Sequence, residues 1–222
     1  MTELLHTIKD TLLSPKWYIE MGGLYMILFV VFAETGLFVG FFLPGDSLLF
    51  VAGLFIEDLA HEFFDVPYVI IMTMIAIAGV LGNFVGYWFG KKSGPYIYQR
   101  KDSFFFKQRH LHSAQKFYEK NGALTIIAAR FIPIIRTFVP IVAGVVKMDY
   151  KKFTLYNIVG SFAWVFSMML TGHLLGKQFP WIKDRIEIIV ILIILVTTLP
   201  VIIKFALGGK KEDGIASEDD EI

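Results

Sequence analysis

The sequence has no cysteine and few charged residues for its length. Of its 222 residues, 18% are charged and 55% are hydrophobic, whereas ordinary soluble domains have about 25% charged and about 45–50% apolar residues. The absence of cysteine excludes a disulfide framework and gives no clue to the redox compartment. The net charge of +1 gives no information about partners, because the charges are segregated along the chain. Several apolar runs have the ~20 residues that cross a bilayer, so the sequence predicts an integral membrane protein.

The apolar runs predict an all-α membrane protein with four transmembrane helices and two helical hairpins. The predicted spans cover residues 22–40, 67–90, 153–176 and 186–207. Two other apolar stretches, 41–55 and 123–146, contain residues that favour a break in the helix: Pro44, Gly45, Pro133 and Pro140. A broken backbone at membrane depth is tolerated only where it is buried in protein or lines a wet cavity. We therefore expect both stretches to be re-entrant hairpins.

Three regions are predicted along the chain. Residues 1–19 form an amphipathic interfacial segment or a simple soluble leader helix. Residues 20–207 form the membrane domain, and the acidic tail 208–222 is predicted to be disordered. Basic residues near span ends mark the cytoplasmic side, so the basic segment 91–121 and both termini are predicted to be cytoplasmic. If both hairpins were instead full spans, the basic residues at 147–152 would lie outside.

Two sequence features occur twice in the same order. The stretch at 43–53 reads "LPGDSLLFVAG" and that at 134–144 reads "IIRTFVPIVAG", while G-x-x-x-G-K occurs at 86–91 and at 172–177. Because a single crossing separates the predicted hairpins, the two copies face opposite sides of the membrane. This pattern is typical of the inverted repeats of secondary transporters.

Four charged residues lie inside apolar stretches: Glu34, Asp46, Arg130 and Arg136. Each charge costs about 2.5–3.5 kcal/mol at the centre of a membrane helix, so all four must be paired or hydrated. Pairing of Asp46 with Arg136, or of Glu34 with Arg130, is predicted. The two arginines are candidate binding residues for a phosphate, because a guanidinium bonds phosphate oxygens bidentately and stays charged.

The two acids are candidates for proton coupling, because a carboxylate removed from water takes up protons more readily. The competing interpretation is that all four charges form internal salt bridges that only fix the fold. No metal site and no cofactor are predicted.

Other residues are predicted to support the fold. Small residues at helical spacing allow close helix packing: Gly79, Gly82, Gly86 and Gly90. Asn83 and Asn157 are candidate supporting residues, and His173 is predicted to be interfacial. Three tryptophans fit an aromatic belt at the membrane surface: Trp88, Trp164 and Trp181.

Several stretches resemble the DedA family of bacterial membrane proteins, which shares the SNARE-associated or VTT domain with eukaryotic lipid scramblases. They read "ETGLFVGFFLPGDSLLFVAG", "GNFVGYWFG", "FYEKNGALTIIAARFIPIIRTFVPIVAG" and "YNIVGSFAW". The resemblance covers roughly residues 20–177. It implies re-entrant hairpins, an inner-membrane location, dependence on proton motive force and lipid flipping, notably of undecaprenyl phosphate and in some members of phosphatidylethanolamine. The family's essential acids map onto Glu34 and Asp46, and its essential arginines onto Arg130 and Arg136.

The sequence therefore predicts a flippase for undecaprenyl phosphate or a phospholipid, with membrane lipids and protons as partners and no nucleic acid. A homo-oligomer is left open. The alternatives are a proton-linked transporter of small ions or solutes, a protein whose charges serve assembly alone, and an intramembrane lipid phosphatase. Enzyme chemistry is not expected, because it needs a nucleophile beside a base and no such constellation surrounds His173.

Overall fold

The computed structural model describes residues 15–37, 45–99, 133–186 and 188–189. The elements in these ranges are helical: α1 (Pro15–Gly36), α2 (Gly45–Leu54), α3 (Ile56–Glu62), α4 (Tyr68–Gln99), α5 (Pro133–Val145), α6 (Tyr150–Gln178) and a 3₁₀ helix (Pro180–Arg185). The predicted all-α class is confirmed for this part of the chain.

Two of the described helices are long and apolar enough to cross a membrane, α4 over Tyr68–Gly94 and α6. They correspond to the predicted spans 67–90 and 153–176. The side chain of Asp149 caps the start of α6 by accepting the backbone N–H of Lys152 at 2.9 Å. The two helices run antiparallel, because the Tyr68 ring lies 5.4 Å from that of His173 and the Tyr87 ring lies 5.8 Å from that of Tyr150.

The first three helices form a hairpin. The Glu34 carboxylate packs directly against the backbone of Gly45, the first residue of α2. Towards the other end, the Tyr25 ring lies 5.9 Å from the Phe63 ring. Helix α1 therefore runs antiparallel to α2 and α3, and the residues that connect them, 38–44, lie outside the described residues.

This hairpin extends about half-way along the apolar part of α4. A Cβ on Gly36 would lie 2.7 Å from the carbonyl oxygen of Gly82, and Gly82 is close to the middle of Tyr68–Gly94. At the base of the hairpin, a Cβ on Gly23 would lie 3.2 Å from a carboxylate oxygen of Glu62, a few residues before α4 begins.

The structure differs here from the predicted separate span over 22–40. The apolar helix Gly22–Gly36 is shorter than a span, and Gly23 kinks α1 with a left-handed φ of 50°. Hydropathy alone does not show where a chain reverses direction, so residues 22–40 have the composition of a span. Residues near Gly22 consequently lie at the same end of α4 as Tyr68, whereas the predicted topology placed them at opposite ends.

The described arm of the second hairpin is α5. It runs parallel to the second half of α4, because Gly86 faces Pro140 and Gly94 faces Val145. Pro133 is the first residue of α5, a position where its fixed φ and missing N–H are tolerated, and the residues before it lie outside the described part of the chain.

Pro140 lies inside α5 and does not break this helix, contrary to the prediction. Its missing N–H removes the intrahelical bond to the carbonyl of Arg136. A Cβ at Gly86 would lie 3.4 Å from the Pro140 ring, an ordinary van der Waals distance, so Pro140 packs against α4 at Gly86 without requiring glycine there.

Glycines bring α2 close to α6. The Cα of Gly53 packs on the backbone of Met169, and that of Gly172 packs on the backbone of Phe50. A side chain at either position would overlap backbone atoms, so this close approach requires glycine.

The same arrangement joins α5 to α4. Gly144 packs on the backbone of Tyr87, and Gly90 packs on the backbone of Ile141. The helix of each hairpin therefore packs on the long helix of the other half, through the glycines of the V-A-G and G-x-x-x-G-K sequences. This reciprocity supports the predicted repeat. Gly82 and Gly90 allow close helix packing as predicted, whereas a Cβ on Gly79 or Gly86 would make only ordinary contacts.

Several predicted segments lie outside the described residues. They are most of the N-terminal segment 1–19, the basic residues from 100 to 121, the first arm of the second hairpin at 123–132, nearly all of the span 186–207, and the tail 208–222.

Candidate functional site

Arg136 of α5 lies between two carboxylates from the first hairpin. Its Nη2 donates to Oε1 of Glu34, at the end of α1, and its Nη1 donates to Oδ1 of Asp46, in the first turn of α2. The side chains are 6%, 3% and 14% exposed for Arg136, Glu34 and Asp46. The predicted pairing of Asp46 with Arg136 is confirmed. Glu34 also contacts Arg136, while Arg130 lies outside the described residues.

Trp164 of α6 completes this group, which we call the central cluster: Glu34, Asp46, Arg136 and Trp164. Its indole Nε1 donates to Oδ1 of Asp46 at 2.8 Å, and its ring centroid lies 4.6 Å from the guanidinium carbon of Arg136. This distance allows a cation–π interaction. The cluster therefore takes one side chain from each of four helices. Helices α1 and α2 belong to the first half of the chain, and α5 and α6 belong to the second.

The prediction that Trp164 belongs to an aromatic belt was wrong. Trp164 is 1% exposed and lies at the midpoint of α6, whereas belt residues lie at the ends of spans. That central position was the sequence signal that could have identified it. Trp88 and Trp181 are mostly exposed, as belt residues would be.

Local sequence explains how the carboxylates reach Arg136. Asp46 sits in the first turn of α2, where the helix dipole favours a negative charge. Gly45 is needed beside it, because any side chain at position 45 would occupy the place of the Glu34 carboxylate. Gly45 was predicted as a hairpin break, and this contact gives a second reason for glycine there. Pro44 lies outside the described residues.

Two polar atoms of the central cluster are buried without a hydrogen-bond partner among the described residues. They are Oε2 of Glu34 and Nε of Arg136. Most buried polar groups in folded proteins have partners, so such atoms indicate an unfilled bonding capacity. With all three groups ionised, the described part of the cluster carries one excess negative charge.

The two predicted supporting residues act differently. Asn157 of α6 is buried and donates its side-chain amide to the carbonyl of Val80 at 3.1 Å. This bond joins the first half of α6 to the middle of the apolar part of α4. Asn83 is also buried, but it donates to the carbonyl of Gly79 on its own helix at 2.6 Å. His173 contacts Tyr68 near the helix ends, away from the cluster.

The VTT domain family matches residues 43–174. The protein DedA of Escherichia coli is 40% identical over 181 residues, which cover 81% of this chain and 81% of that protein. The chain belongs to the DedA family. This agrees with the resemblance found in the sequence, and the matched region includes three of the four residues of the central cluster.

Other relatives support the same assignment. An uncharacterized membrane protein of Mycobacterium tuberculosis is 36% identical over 206 residues, covering 90% of this chain and 88% of that protein. The inner membrane protein YqjA of Escherichia coli is 29% identical over 214 residues, covering 94% and 92%. These names support a location in a bacterial inner membrane. No solved structure matches the chain.

Proposed function

We propose that this DedA family protein is a flippase that moves a lipid phosphate, either undecaprenyl phosphate or a phospholipid, across the cytoplasmic membrane with coupling to proton motive force. The observation that carries the proposal is Arg136, held out of solvent between two carboxylates from the opposite hairpin.

The position of the central cluster supports transport across a membrane. Trp164 lies at the midpoint of α6, and the first hairpin ends beside Gly82, near the middle of the apolar part of α4. Helix α5 lies along the second half of α4, and its first turn is at the same level as the end of the first hairpin. If α4 and α6 cross the bilayer, the hairpins enter from opposite faces and Arg136 lies near the midplane. A phosphate has its highest energy there, so a compensating charge is most useful at that depth.

The chemistry of the cluster suits an anion and a proton. The guanidinium remains positive under physiological conditions and bonds phosphate oxygens in a planar fork. The two carboxylates pair with it when no anion is present, and they can take up protons. The site therefore contains a group that can bind the phosphate and groups that can bind the proton.

Stability alone is a weak reason for such a cluster. A complete buried ion cluster can often be replaced by apolar residues with no loss of stability, although removal of one partner is strongly destabilising. This favours a functional role over the interpretation in which the charges serve folding only.

Reconstituted protein tests the proposal. Full-length protein in liposomes is expected to accelerate the flipping of a fluorescent phospholipid or of a polyprenyl phosphate, and an imposed pH gradient should change the rate. Arg136→Lys keeps the positive charge but loses the fork, and should abolish the acceleration. Lys177→Gln is the matched control, because Lys177 is exposed and lies at the end of α6.

Two results would count against the flippase. Lipid flipping that is as fast with Arg136→Lys as with the parent protein would exclude the role of Arg136. Uptake of inorganic phosphate or another small solute without any lipid flipping would favour the alternative of a proton-linked solute transporter.

A further inference from the structure

We infer that Glu34 and the phosphate of the substrate compete for the same edge of Arg136, so that each phosphate that binds is accompanied by one proton taken up by Glu34. The inference rests on the proposed function and specifies its ligand chemistry and its coupling.

The bonding pattern of Arg136 is asymmetric. Asp46 accepts from Nη1 and Glu34 accepts from Nη2, whereas Nε is buried and has no partner among the described residues. In a guanidinium, Nε and Nη2 lie on one side edge and their N–H bonds point the same way, which makes a two-donor fork. Glu34 therefore occupies only one donor of a fork that could hold two oxygens.

A phosphate matches this fork better than Glu34 does in the observed position. Two oxygens on one phosphorus atom accept from Nε and Nη2 together, in the bidentate arrangement that arginine makes with phosphates. Glu34 places only Oε1 on the fork, and its Oε2 is buried against the backbone of Gly45 instead. An oxyanion with two free oxygens on one atom is thus the ligand class that the edge selects.

Asp46 is the carboxylate that stays. Its Oδ1 accepts from both Arg136 and the indole N–H of Trp164, and the Trp164 ring also packs on the guanidinium. Glu34 has no second side-chain donor of this kind, since its Oε2 lies against the backbone of Gly45, and it sits near the end of α1. Trp164 is therefore a positioning residue, which holds Asp46 and Arg136 together while Glu34 leaves.

The charges around Glu34 favour this exchange. From the elements packed against α1, Asp46 of α2 and Arg136 of α5 face it. Helix α4 has no Asp, Glu, Lys, Arg or His from Val69 to Gly90, and Glu62 of α3 lies beside Gly23 at the far end. Before binding, the three ionised groups among the described residues sum to one negative charge. A singly charged phosphate that enters as Glu34 takes up a proton leaves this sum unchanged, so the buried site avoids a further unbalanced charge.

The test measures proton uptake together with binding. Full-length protein carrying Trp17→Phe, Trp88→Phe and Trp181→Phe retains Trp164 as its only tryptophan, so its fluorescence reports on the central cluster. Farnesyl phosphate is added in a weakly buffered solution with a pH indicator, and inorganic phosphate is added in a parallel series. Glu34→Gln in the same background is the reference, because any proton taken up by the phosphate itself is common to both proteins.

The expected result is one more proton taken up per farnesyl phosphate by the parent protein than by the Glu34→Gln variant. Binding to that variant should be tighter and less dependent on pH, because the competitor is gone. Glu34→Asp provides a second variant that keeps a carboxylate but shortens its reach, and it should also bind phosphate more tightly. Arg136→Lys should bind about tenfold or more weakly, since it loses a charge-assisted bidentate contact.

The outcomes separate this inference from the proposed function. Equal proton uptake by the parent and the Glu34→Gln variant, or weaker binding to both Glu34 variants, would overturn the competition while leaving a phosphate site. Tight binding of inorganic phosphate with no preference for farnesyl phosphate would support the competition but reject the lipid substrate. If neither probe bound at all, both the inference and the flippase would be wrong.

Discussion

The central cluster and the ion pair between Glu57 and Lys177 contain the same kinds of group in opposite surroundings. Lys177 Nζ lies 3.7 Å from Glu57 Oε1, with side chains 62% and 42% exposed, and the pair joins α3 to the end of α6. Arg136 also joins helices, but it and Glu34 are almost completely enclosed. Exposed pairs contribute about 0–1 kcal/mol, whereas removal of one partner from a buried pair costs about 3–5 kcal/mol.

The comparison shows why charged side chains can be buried in the middle of this molecule. The backbone brings groups of opposite charge into contact there. Gly45 admits the Glu34 carboxylate, and α5 brings Arg136 to it from the other half. At the end of α6, solvent alone is sufficient to stabilise the charges. Substitutions in the two regions should therefore have effects of very different size.

The largest effect is expected for Arg136→Gln. It leaves Glu34 and Asp46 buried without their shared partner, and should lower the free energy of unfolding by about 3–5 kcal/mol. Denaturant unfolding of the purified protein in detergent, monitored by circular dichroism, measures this change.

A triple variant separates folding from transport. Glu34→Leu, Asp46→Val and Arg136→Met together replace every described charge of the cluster with apolar side chains of broadly similar size, and should recover most of the stability. Transport should remain absent. A stable triple variant that still flipped lipid would show that flipping does not need these charges.

The next largest effect is expected for Trp164→Phe. It removes the indole N–H that bonds Asp46 but keeps an aromatic ring near Arg136. Loss of a hydrogen bond to a charged group should cost about 1.5–3 kcal/mol, and the substrate concentration at half-maximal flipping should rise more than the maximal rate falls. Trp88→Phe, at an exposed tryptophan, is the control. Equal effects of the two changes would exclude a positioning role for Trp164.

A smaller effect is expected where glycines join the halves. Gly53→Ala places a Cβ against the backbone of Met169, and should destabilise by about 1–3 kcal/mol, as overpacking does. Gly79→Ala is matched to it, because its Cβ would meet only ordinary contacts at 3.6 Å from Val31 and 3.7 Å from Ser161. That variant should be as stable as the parent or more stable, since alanine favours helix. Similar unfolding midpoints for both variants would contradict the close packing of α2 on α6.

The smallest effect is expected for Lys177→Gln. Its loss should change the free energy of unfolding by less than about 1 kcal/mol and leave flipping unchanged. A loss of stability comparable to that of Arg136→Gln would remove the contrast between the two regions.

Much of the fold could be predicted because the signals are local. The apolar runs of α4 and α6 can be recognised as possible spans by their length and composition. The spacing of the glycines from Gly79 to Gly90 indicates a helix surface that packs on other helices. The pairing of Asp46 with Arg136 was also predictable, since isolated charges in apolar stretches need partners.

The remaining features depend on the path of the chain in three dimensions. Residues 22–40 have the composition of a span, and only the contact of Glu34 with Gly45 shows that the chain turns back. Pro140 stays inside α5 and faces Gly86, which belongs to a different helix. The role of Trp164 follows from α2 packing on α6, and no local pattern specifies which helices become neighbours.

The most direct test of the account is flipping of a labelled polyprenyl phosphate in liposomes, compared between the parent protein, Arg136→Lys and Lys177→Gln. The account predicts that the parent and Lys177→Gln accelerate flipping equally and that Arg136→Lys, although folded, does not. Undiminished flipping by folded Arg136→Lys would contradict the central claim that Arg136 holds the phosphate during transport.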